Sequence, residues 1–361
     1  MTTTQAHAEA VRVRRRQRST AEIVTNAIGL TLAALVVLWL GVNFVKDWST
    51  FVELTFSGLA RGSIYALVAL GYTLVYGILE LINFAHGDVF MIGGMVTATV
   101  VINVFDLHSN PPMSTLLPVI LISLAAAMIV CGLLNATIER VAYKPLRGAP
   151  RLVPLITAIG VSFIIENIAF IWKGPRPVQL PPNTLPHGAI FTLGTCPKCA
   201  SFRWDQLFVM AVTVPVLLGL VWLVRYTRQG KAMRATAQDK DAAAMMGIDV
   251  NRTISFTFLV AGALAGVAGV IFALYGTAIQ WDDGFTLGLI AFTAAVLGGI
   301  GNLPGAVLGG LLIGLIYDYN EGLSWHAPGS SWSQTIVFGI LILILVFRPQ
   351  GLLGERTPEG G

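Results

Sequence analysis

The feature that most constrains this chain is a polar break inside an apolar stretch, residues 58–94. Apolar residues long enough to enter a bilayer surround the six residues of segment 83–88, Asn-Phe-Ala-His-Gly-Asp. Hydrocarbon offers no partner to loose backbone groups or charges. Such a break therefore survives at membrane depth only where protein packs around it or where it lines a watery path. The pattern indicates a transport protein rather than a simple anchor.

The composition identifies an integral membrane protein. Of the 361 residues, 55% are hydrophobic and only 12% are charged, and the mean hydropathy is +0.73. A soluble domain of this size carries more charge than that. We predict an all-α polytopic helical bundle of about 8–10 transmembrane helices with Gly-rich discontinuous segments. The apolar segments are 23–45, 54–79, 89–106, 116–138, 152–172, 206–224, 253–275, 286–300, 303–320 and 333–347.

Basic residues set the predicted topology. Five arginines between positions 12 and 18 precede the first apolar segment, and further Lys and Arg residues cluster at 140–151 and 225–252. The positive-inside rule places all of them in the cytoplasm, with both chain termini. Segment 23–45 is too long for a signal peptide and lacks a small-residue cleavage site, so we interpret it as an uncleaved first helix. The net charge of +4 therefore indicates no nucleic-acid partner.

This topology divides the chain into three regions. A basic cytoplasmic arm (1–22) precedes a transmembrane domain (23–348), and a cytoplasmic tail (349–361) follows it. The transmembrane domain contains an external loop at 173–204 and a cytoplasmic segment at 225–252. A second Gly-rich break is predicted at 298–305, and the glycines at 262, 266 and 269 are expected to let helices approach closely.

The chain lacks the sequence signature of ATP hydrolysis. The pair Gly230-Lys231 is followed by Ala232 and has no upstream glycine of a phosphate-binding loop. Segment 225–252 nevertheless predicts a short amphipathic, Ala-rich helix that ends at Gly247. We predict a transport subunit that is not an enzyme, binds no metal or cofactor, and docks through this segment onto another protein.

Four motifs resemble the LivH-type permease subunits of branched-chain amino acid ABC importers. They are GSIYALVALGYTLVYG with INFAHGD, RYTRQGKAMRATAQDKDAAAMMGI, FTAAVLGGIGNLPGAVLGG and FRPQGLLG, and the resemblance covers nearly all of residues 54–354. The resemblance implies ATP-driven inward transport of leucine, isoleucine and valine across the bacterial inner membrane. It also implies four partner chains besides membrane lipid: a second homologous permease chain, two ATP-binding subunits and an extracytoplasmic substrate-binding protein. The chain departs from the family at Ile290, where a Lys is frequent.

Polar residues in apolar surroundings are candidates for the transport path. Asn83, His86 and Asp88 are expected to line or gate it, and the alternative is an interfacial loop that caps two helices. Glu166 lies in the middle of an apolar segment, where it is a candidate to meet a substrate ammonium group. The alternative for Glu166 is charge pairing inside the bundle or with a second permease. The same pairing is expected for Arg61 and Glu80.

In segment 225–252 the resemblance implies contact with an ATP-binding partner. Gly247 would end the short helix, and Ala242, Ala243, Ala244 and Met245 before it would offer a compact face. The alternative is an ordinary amphipathic loop. The residues predicted to couple the permease to the ATPase are Asp239, Ala242, Ala243, Ala244 and Gly247.

Two cysteines, Cys196 and Cys199, form a CxxC in the external loop. An oxidising compartment permits a disulfide there, and free thiols are the alternative. A metal site is disfavoured because His187 raises the ligand count only to three, whereas zinc takes about four. Cys131 lies inside an apolar segment and is expected to be a small core residue.

Other functions stay open at this stage. The chain fits an ABC permease for urea, short amides or other amino acids, and also a stand-alone secondary transporter driven by an ion gradient. A membrane enzyme that uses His86, Asp88 and the CxxC is weakened by the topology, which places these groups on opposite faces.

Overall fold

The computed structural model describes residues 20–108, 111–150, 152–186, 188–194, 199–348 and 350–354. These residues are mainly helical, and π-helical turns extend α3 to Val104 and α4 to Tyr143. The strands are β1 (Val178–Gln179), β2 (Ala189–Leu193), β3 (Ala200–Arg203) and β4 (Ala278–Ile279). The α-helices are α1 (Thr20–Lys46), α2 (Trp48–Leu79), α3 (His86–Thr99), α4 (Met113–Ile138), α5 (Leu152–Lys173), α6 (Trp204–Tyr226), α7 (Arg228–Gln238), α8 (Lys240–Met245), α9 (Val250–Gly276), α10 (Asp283–Gly298), α11 (Leu303–Gly322) and α12 (Ser330–Phe347).

Within the described residues, seven helical runs are long and apolar enough to cross a membrane, and two shorter apolar helices accompany them. This confirms the predicted all-α polytopic membrane protein. The core lies around α2 and α9, since 89% of the apolar window of α2 is buried, against 11% for α12. Outer helices such as α12 expose apolar side chains, as helices solvated by lipid do.

Helix α1 belongs to a unit of its own, residues 1–48. Four consecutive apolar side chains of α1, at positions 35–38, are more than half exposed. Of the basic arm predicted at 1–22, residues 1–19 lie outside the described residues. The second unit, 49–361, holds the remaining elements.

Glycines let the central helices of this second unit cross at backbone distance. A Cβ on Gly62 of α2 would lie 2.8 Å from the Cα of Leu311 and 2.9 Å from the carbonyl oxygen of Gly310, both in α11. A Cβ on Gly93 of α3 would lie 2.9 Å from the Cα of Gly266 in α9. Such contacts bury apolar helices without a side-chain layer between them. The predicted close approach is confirmed for the three α9 glycines: Gly262, Gly266 and Gly269.

The strands mark one side of the second unit, which we call the strand side, and the opposite end is the α7 side. Strand β1 pairs antiparallel with β4, with Val178 opposite Ile279, and β2 pairs antiparallel with β3. Glu53 of α2 accepts hydrogen bonds from the backbone N–H and the hydroxyl of Ser201, at 3.1 and 2.8 Å. The loop predicted at 173–204 is therefore partly a β structure attached to α2.

The tail after α12 packs onto the second Gly-rich break. The N–H groups of Leu352 and Leu353 donate to the carbonyls of Leu297 and Gly298, at 2.8 and 3.0 Å. The side-chain amide of Asn302 donates to the carbonyl of Leu353 at 2.7 Å. The described part of the predicted tail (349–361) is therefore packed, because it supplies partners to the end of α10.

Helix packing at Gly62 generates a stability prediction. Gly62→Ala is expected to destabilise the protein by roughly 1–3 kcal/mol, because the new methyl group collides with the backbone of α11. The midpoint of thermal unfolding in detergent measures this change. Gly77→Ala is the matched control, since Gly77 lies in the same helix with nothing within 4 Å of its Cβ position. Equal unfolding midpoints for the two variants would contradict the packing argument.

Candidate functional site

The polar break lies inside the bundle, where helix α3 begins. The His86 ring packs 4.9 Å from the ring of Tyr72 in α2, and a Cβ on Gly71 would overlap the His86 ring. Gly71 lies about two turns before α2 ends at Leu79. Helix α3 therefore starts within the length of α2 rather than at its end.

Helix α10 also begins inside the bundle, and its first turn faces the first turn of α3. A Cβ on Gly284 would lie 2.8 Å from the Cα of Asp88, and a Cβ on Gly288 would lie 2.8 Å from the Cα of Gly87. Gly87 does not have a positive φ. Its role is thus close packing against α10.

Asp88 is an ionisable residue at this crossing, and it is 0% exposed. One carboxylate oxygen accepts a hydrogen bond from the hydroxyl of Ser162, midway along α5. Glu166 lies one helical turn further along α5 and is 8% exposed. It is close enough to Asp88, and to Asp282 before α10, for their negative charges to repel one another. The N-terminal ends of α3 and α10 both lie at this acidic cluster, and their partial positive charges favour carboxylates.

Asn83 is held by a different set of residues, on α4 and α9. The hydroxyl of Tyr143 donates to the Asn83 side-chain oxygen at 2.8 Å, and the Asn83 amide contacts the Asn135 side-chain oxygen at 3.4 Å. Asn135 in turn donates to the carbonyl of Phe258 at 2.7 Å. Asn83 therefore braces the break. Sequence reasoning missed Asn135 and Tyr143, whose role depends on distant elements.

The structure buries all four residues predicted for the transport path. It brings Asp88 and Glu166 together, with His86 beside them on the α2 face, whereas Asn83 is bonded to α4. An interfacial loop would leave these side chains in contact with headgroups and water. The break instead lies among α2, α4, α5 and α10.

A buried carboxylate at the α7 side also escaped the sequence analysis. Glu139 is fully buried, pairs with Arg147 and accepts a hydrogen bond from the Ser255 hydroxyl at 2.6 Å. Arg147 also donates to Asn251 of α9. This network connects α4 to the start of α9. The available signal was the four-residue spacing from Asn135 to Glu139, which places both on one helix face.

Segment 225–252 forms two helices, so the prediction of one Ala-rich helix is wrong. Asp239 separates α7 from α8 with an extended backbone, φ −156° and ψ 115°. Its carboxylate accepts hydrogen bonds from the N–H groups of Asp241 and Ala242, at 2.9 and 3.0 Å. Asp239 thus caps α8, because an aspartate satisfies free N–H groups at a helix start. Gly247, with φ +83°, follows its end, as predicted.

The exposed surface of α8 and of the residue after it contains Ala244 and two methionines. Ala243 is 4% exposed, whereas Met245 and Met246 are 82% and 83% exposed. Helix α7 is fixed to α6, since Arg234 donates to the carbonyl of Val224 at 2.6 Å. The predicted compact face therefore has Ala243 turned inward and two flexible apolar side chains outside.

The other expectations from the sequence have mixed outcomes. Arg61 pairs with Asp318 at 2.8 Å and with Glu321 at 3.5 Å, which confirms the predicted charge pairing inside the bundle. Cys131 is a buried free cysteine, as expected, and its thiol donates to the carbonyl of Val89. Cys196 and His187 lie outside the described residues, so the disulfide of Cys196 with Cys199 stays a prediction.

Comparison with known proteins identifies the class of this molecule. Residues 54–346 match the family described as branched-chain amino acid transport system / permease component. The chain belongs to this permease family. It is therefore a membrane-embedded transport subunit rather than an enzyme.

Named relatives agree over most of the permease. The high-affinity branched-chain amino acid transport system permease protein BraD of Pseudomonas aeruginosa is 40% identical over 311 residues, which cover 86% of this chain and 97% of BraD. LivH of Escherichia coli K12, another permease protein of such a system, is 38% identical over 309 residues, with the same shares covered. LivM of the same strain, also a permease protein, is 25% identical over 358 residues, covering 91% of this chain and 76% of LivM.

The bracing of the break generates a second prediction. Asn135→Ala is expected to destabilise the permease by about 1–3 kcal/mol, because Asn83 and the Phe258 carbonyl lose a buried partner. Denaturation by sodium dodecyl sulfate in mixed micelles measures the change. Asn167→Ala is the control, because Asn167 is exposed and its side-chain amide donates to Phe163 within its own helix. An unchanged midpoint for Asn135→Ala would exclude a bracing role.

Proposed function

We propose that this permease is the transmembrane subunit of an ATP-driven importer that carries leucine, isoleucine and valine into a bacterial cell. The observation that carries the proposal is the buried polar site at which α3 and α10 begin, inside a member of this permease family. The printed functions of BraD and LivH support the substrate class. Helices that begin inside a bundle are how many transporters build a midplane site.

The chemistry of the site suits an α-amino acid. Asp88 and Glu166 are carboxylates that attract an ammonium group, and the N-terminal ends of α3 and α10 attract a carboxylate. A neutral amide such as urea has neither charge, so it gains less from this arrangement. We therefore assign the transport path to the break and its neighbours: Asn83, His86, Asp88 and Glu166.

Transport requires that the site open alternately to the two sides of the membrane. The glycine contacts between α3 and α10 close it in the present conformation, since Gly87 and Gly288 leave no room between the two helices. Separation of these first turns would expose Asp88 to a substrate. ATP binding and hydrolysis on partner subunits would shift the equilibrium between closed and open forms through their differential contacts.

The assembly we propose contains four partner chains besides this one. A second homologous permease chain completes the path, and the similarity to LivM supports such pairing of related permeases. Two ATP-binding subunits and an extracytoplasmic substrate-binding protein supply energy and substrate. The α7 side faces the cytoplasm of a cell with this protein in its inner membrane, with both termini inside, because the clusters of Lys and Arg lie there.

The ATP-binding subunit docks on α8 and the turn that follows it in this proposal. Asp239 fixes the orientation of α8, Ala243 packs it inward, and Met245 with Met246 supply adaptable apolar contacts outside. Gly247 lets the chain turn away with a left-handed backbone. Ala242 and Ala244 flank the buried Ala243 and complete the contact.

Leucine uptake into proteoliposomes tests the function. The complex is reconstituted with its receptor outside and ATP inside, and labelled leucine is compared with labelled urea. Leucine uptake that depends on ATP is expected. Glu166→Gln is expected to weaken apparent leucine affinity about tenfold, which corresponds to one lost charge contact of about 1.4 kcal/mol.

Asp106→Asn is the charge-matched control for this assay, because Asp106 is exposed and lies after α3, on the strand side. ATP-dependent uptake of urea in place of leucine would overturn the substrate class. Leucine uptake without ATP would overturn the importer mechanism.

Docking on α8 gives a separate prediction. Met246→Asp is expected to weaken ATPase binding about tenfold or more, because it puts a charge into an apolar contact centre. Co-purification with the ATP-binding subunit and ATPase activity of the complex are the readouts. Lys231→Asp on α7, also exposed, is the control for added negative charge. Retained ATPase binding by Met246→Asp would place the docking surface elsewhere.

A further inference from the structure

A cavity of about 200 Å³ opens at the α7 side, between the end of α2, the connection from α4 to α5, and the first residue of α8. Its charged lining residues are Glu80, Arg147 and Lys240. Apolar side chains complete the wall, among them Leu79 and Leu81. The cavity is separate from the site at Asp88, with which it shares no lining residue.

Opposite charges around one small cavity suit a ligand that carries both signs. Arg147 is held in place by its pair with Glu139 and its hydrogen bond to Asn251. Arg147 therefore lines the cavity wall in a fixed position and contributes a positive charge there. Lys240 adds a second positive charge, while Glu80 would repel a simple anion.

Glu80 has a backbone conformation that points to a function. It terminates α2 with φ +57°, a left-handed conformation that is uncommon for a residue with a side chain. A glycine or asparagine would adopt this turn more readily. Residues held in such conformations cluster at binding sites and switch regions, where the strain serves a role. Glu80 also stands directly before the break that leads to Asn83.

We propose that this cavity binds an α-amino acid on the cytoplasmic side, with its carboxylate at Arg147 and Lys240 and its ammonium group at Glu80. The aliphatic side chain of the ligand packs on Leu79 and Leu81. This assignment rests on the proposed function, since the ligand is then the product of import. It also makes the site distinct from the path through the membrane.

Binding at this cavity connects the product to the machinery of transport. Lys240 is the first residue of α8, which carries the proposed ATPase contacts, and the wall formed by Leu79 and Leu81 leads into the break. A bound amino acid ties these two segments together and holds them in one relative position. Accumulated product therefore slows the importer, because transport requires the two segments to move.

The test uses the reconstituted complex with receptor outside and ATP inside. Vesicles are loaded with unlabelled leucine or left empty, and the initial rate of labelled leucine uptake is measured. Loaded leucine is expected to slow uptake about fivefold, the lower end of typical allosteric coupling. Vesicles loaded with 4-methylpentanoate, which is leucine without its ammonium group, are expected to retain the rate of empty vesicles.

Two variants locate the effect. Glu80→Gln and Lys240→Gln are expected to bring the ratio of loaded to empty rates close to one, and each ratio is taken within one variant so that altered basal activity cancels. Lys231→Gln is the matched control, since Lys231 is exposed on α7 and does not line the cavity. Its ratio is expected to equal that of the unchanged protein.

The outcomes separate the two proposals. Absence of leucine uptake into empty vesicles would overturn the proposed function and this site with it. Uptake that is equally fast in loaded vesicles would overturn the product site alone. Inhibition that persists in both Glu80→Gln and Lys240→Gln, or that 4-methylpentanoate reproduces, would also overturn it, the latter by revealing an anion site.

Discussion

Everything in this structure depends on supplying protein partners to a polar break that hydrocarbon cannot solvate. Asp88 is hydrogen-bonded to Ser162 of α5, and Asn83 is hydrogen-bonded to Tyr143 and Asn135 of α4. These partners come from helices far apart in sequence, so the bundle has to assemble before the break is stable. A break of this kind is expensive in a membrane protein, and its retention in a permease is understandable where it forms part of the path.

Close packing at glycines brings the helices near enough to surround the polar break. Gly284 and Gly288 bring α10 onto Gly87 and Asp88, and Gly62 brings α2 onto α11. Because no side-chain layer separates these helices, a movement of α10 would displace Asp88 directly. The other end of α10 is held by the tail, through Leu352 and Leu353, so α10 links the buried site to the α7 side.

The buried site at Asp88 and the cavity at Arg147 share one feature. In each, groups of both charge signs recognise the two charged ends of an amino acid. At Asp88 the positive partner is a pair of helix ends, and at the cavity it is a pair of side chains, Arg147 and Lys240. The first lies inside the bundle and the second at its surface. A transporter that senses its product needs both kinds of position.

The sequence by itself determined the membrane class, the helical segments, the family and the position of the break, because apolar run length, basic loops and Gly-rich motifs are local properties. It did not determine the partners of Asn83, the pairing of Glu139 with Arg147, or the split at Asp239. It also did not show that Ala243 is turned inward while Met245 and Met246 are exposed. These features were decided by the tertiary structure, because hydrogen-bond partners and the exposed face of a short helix depend on which distant helices pack together.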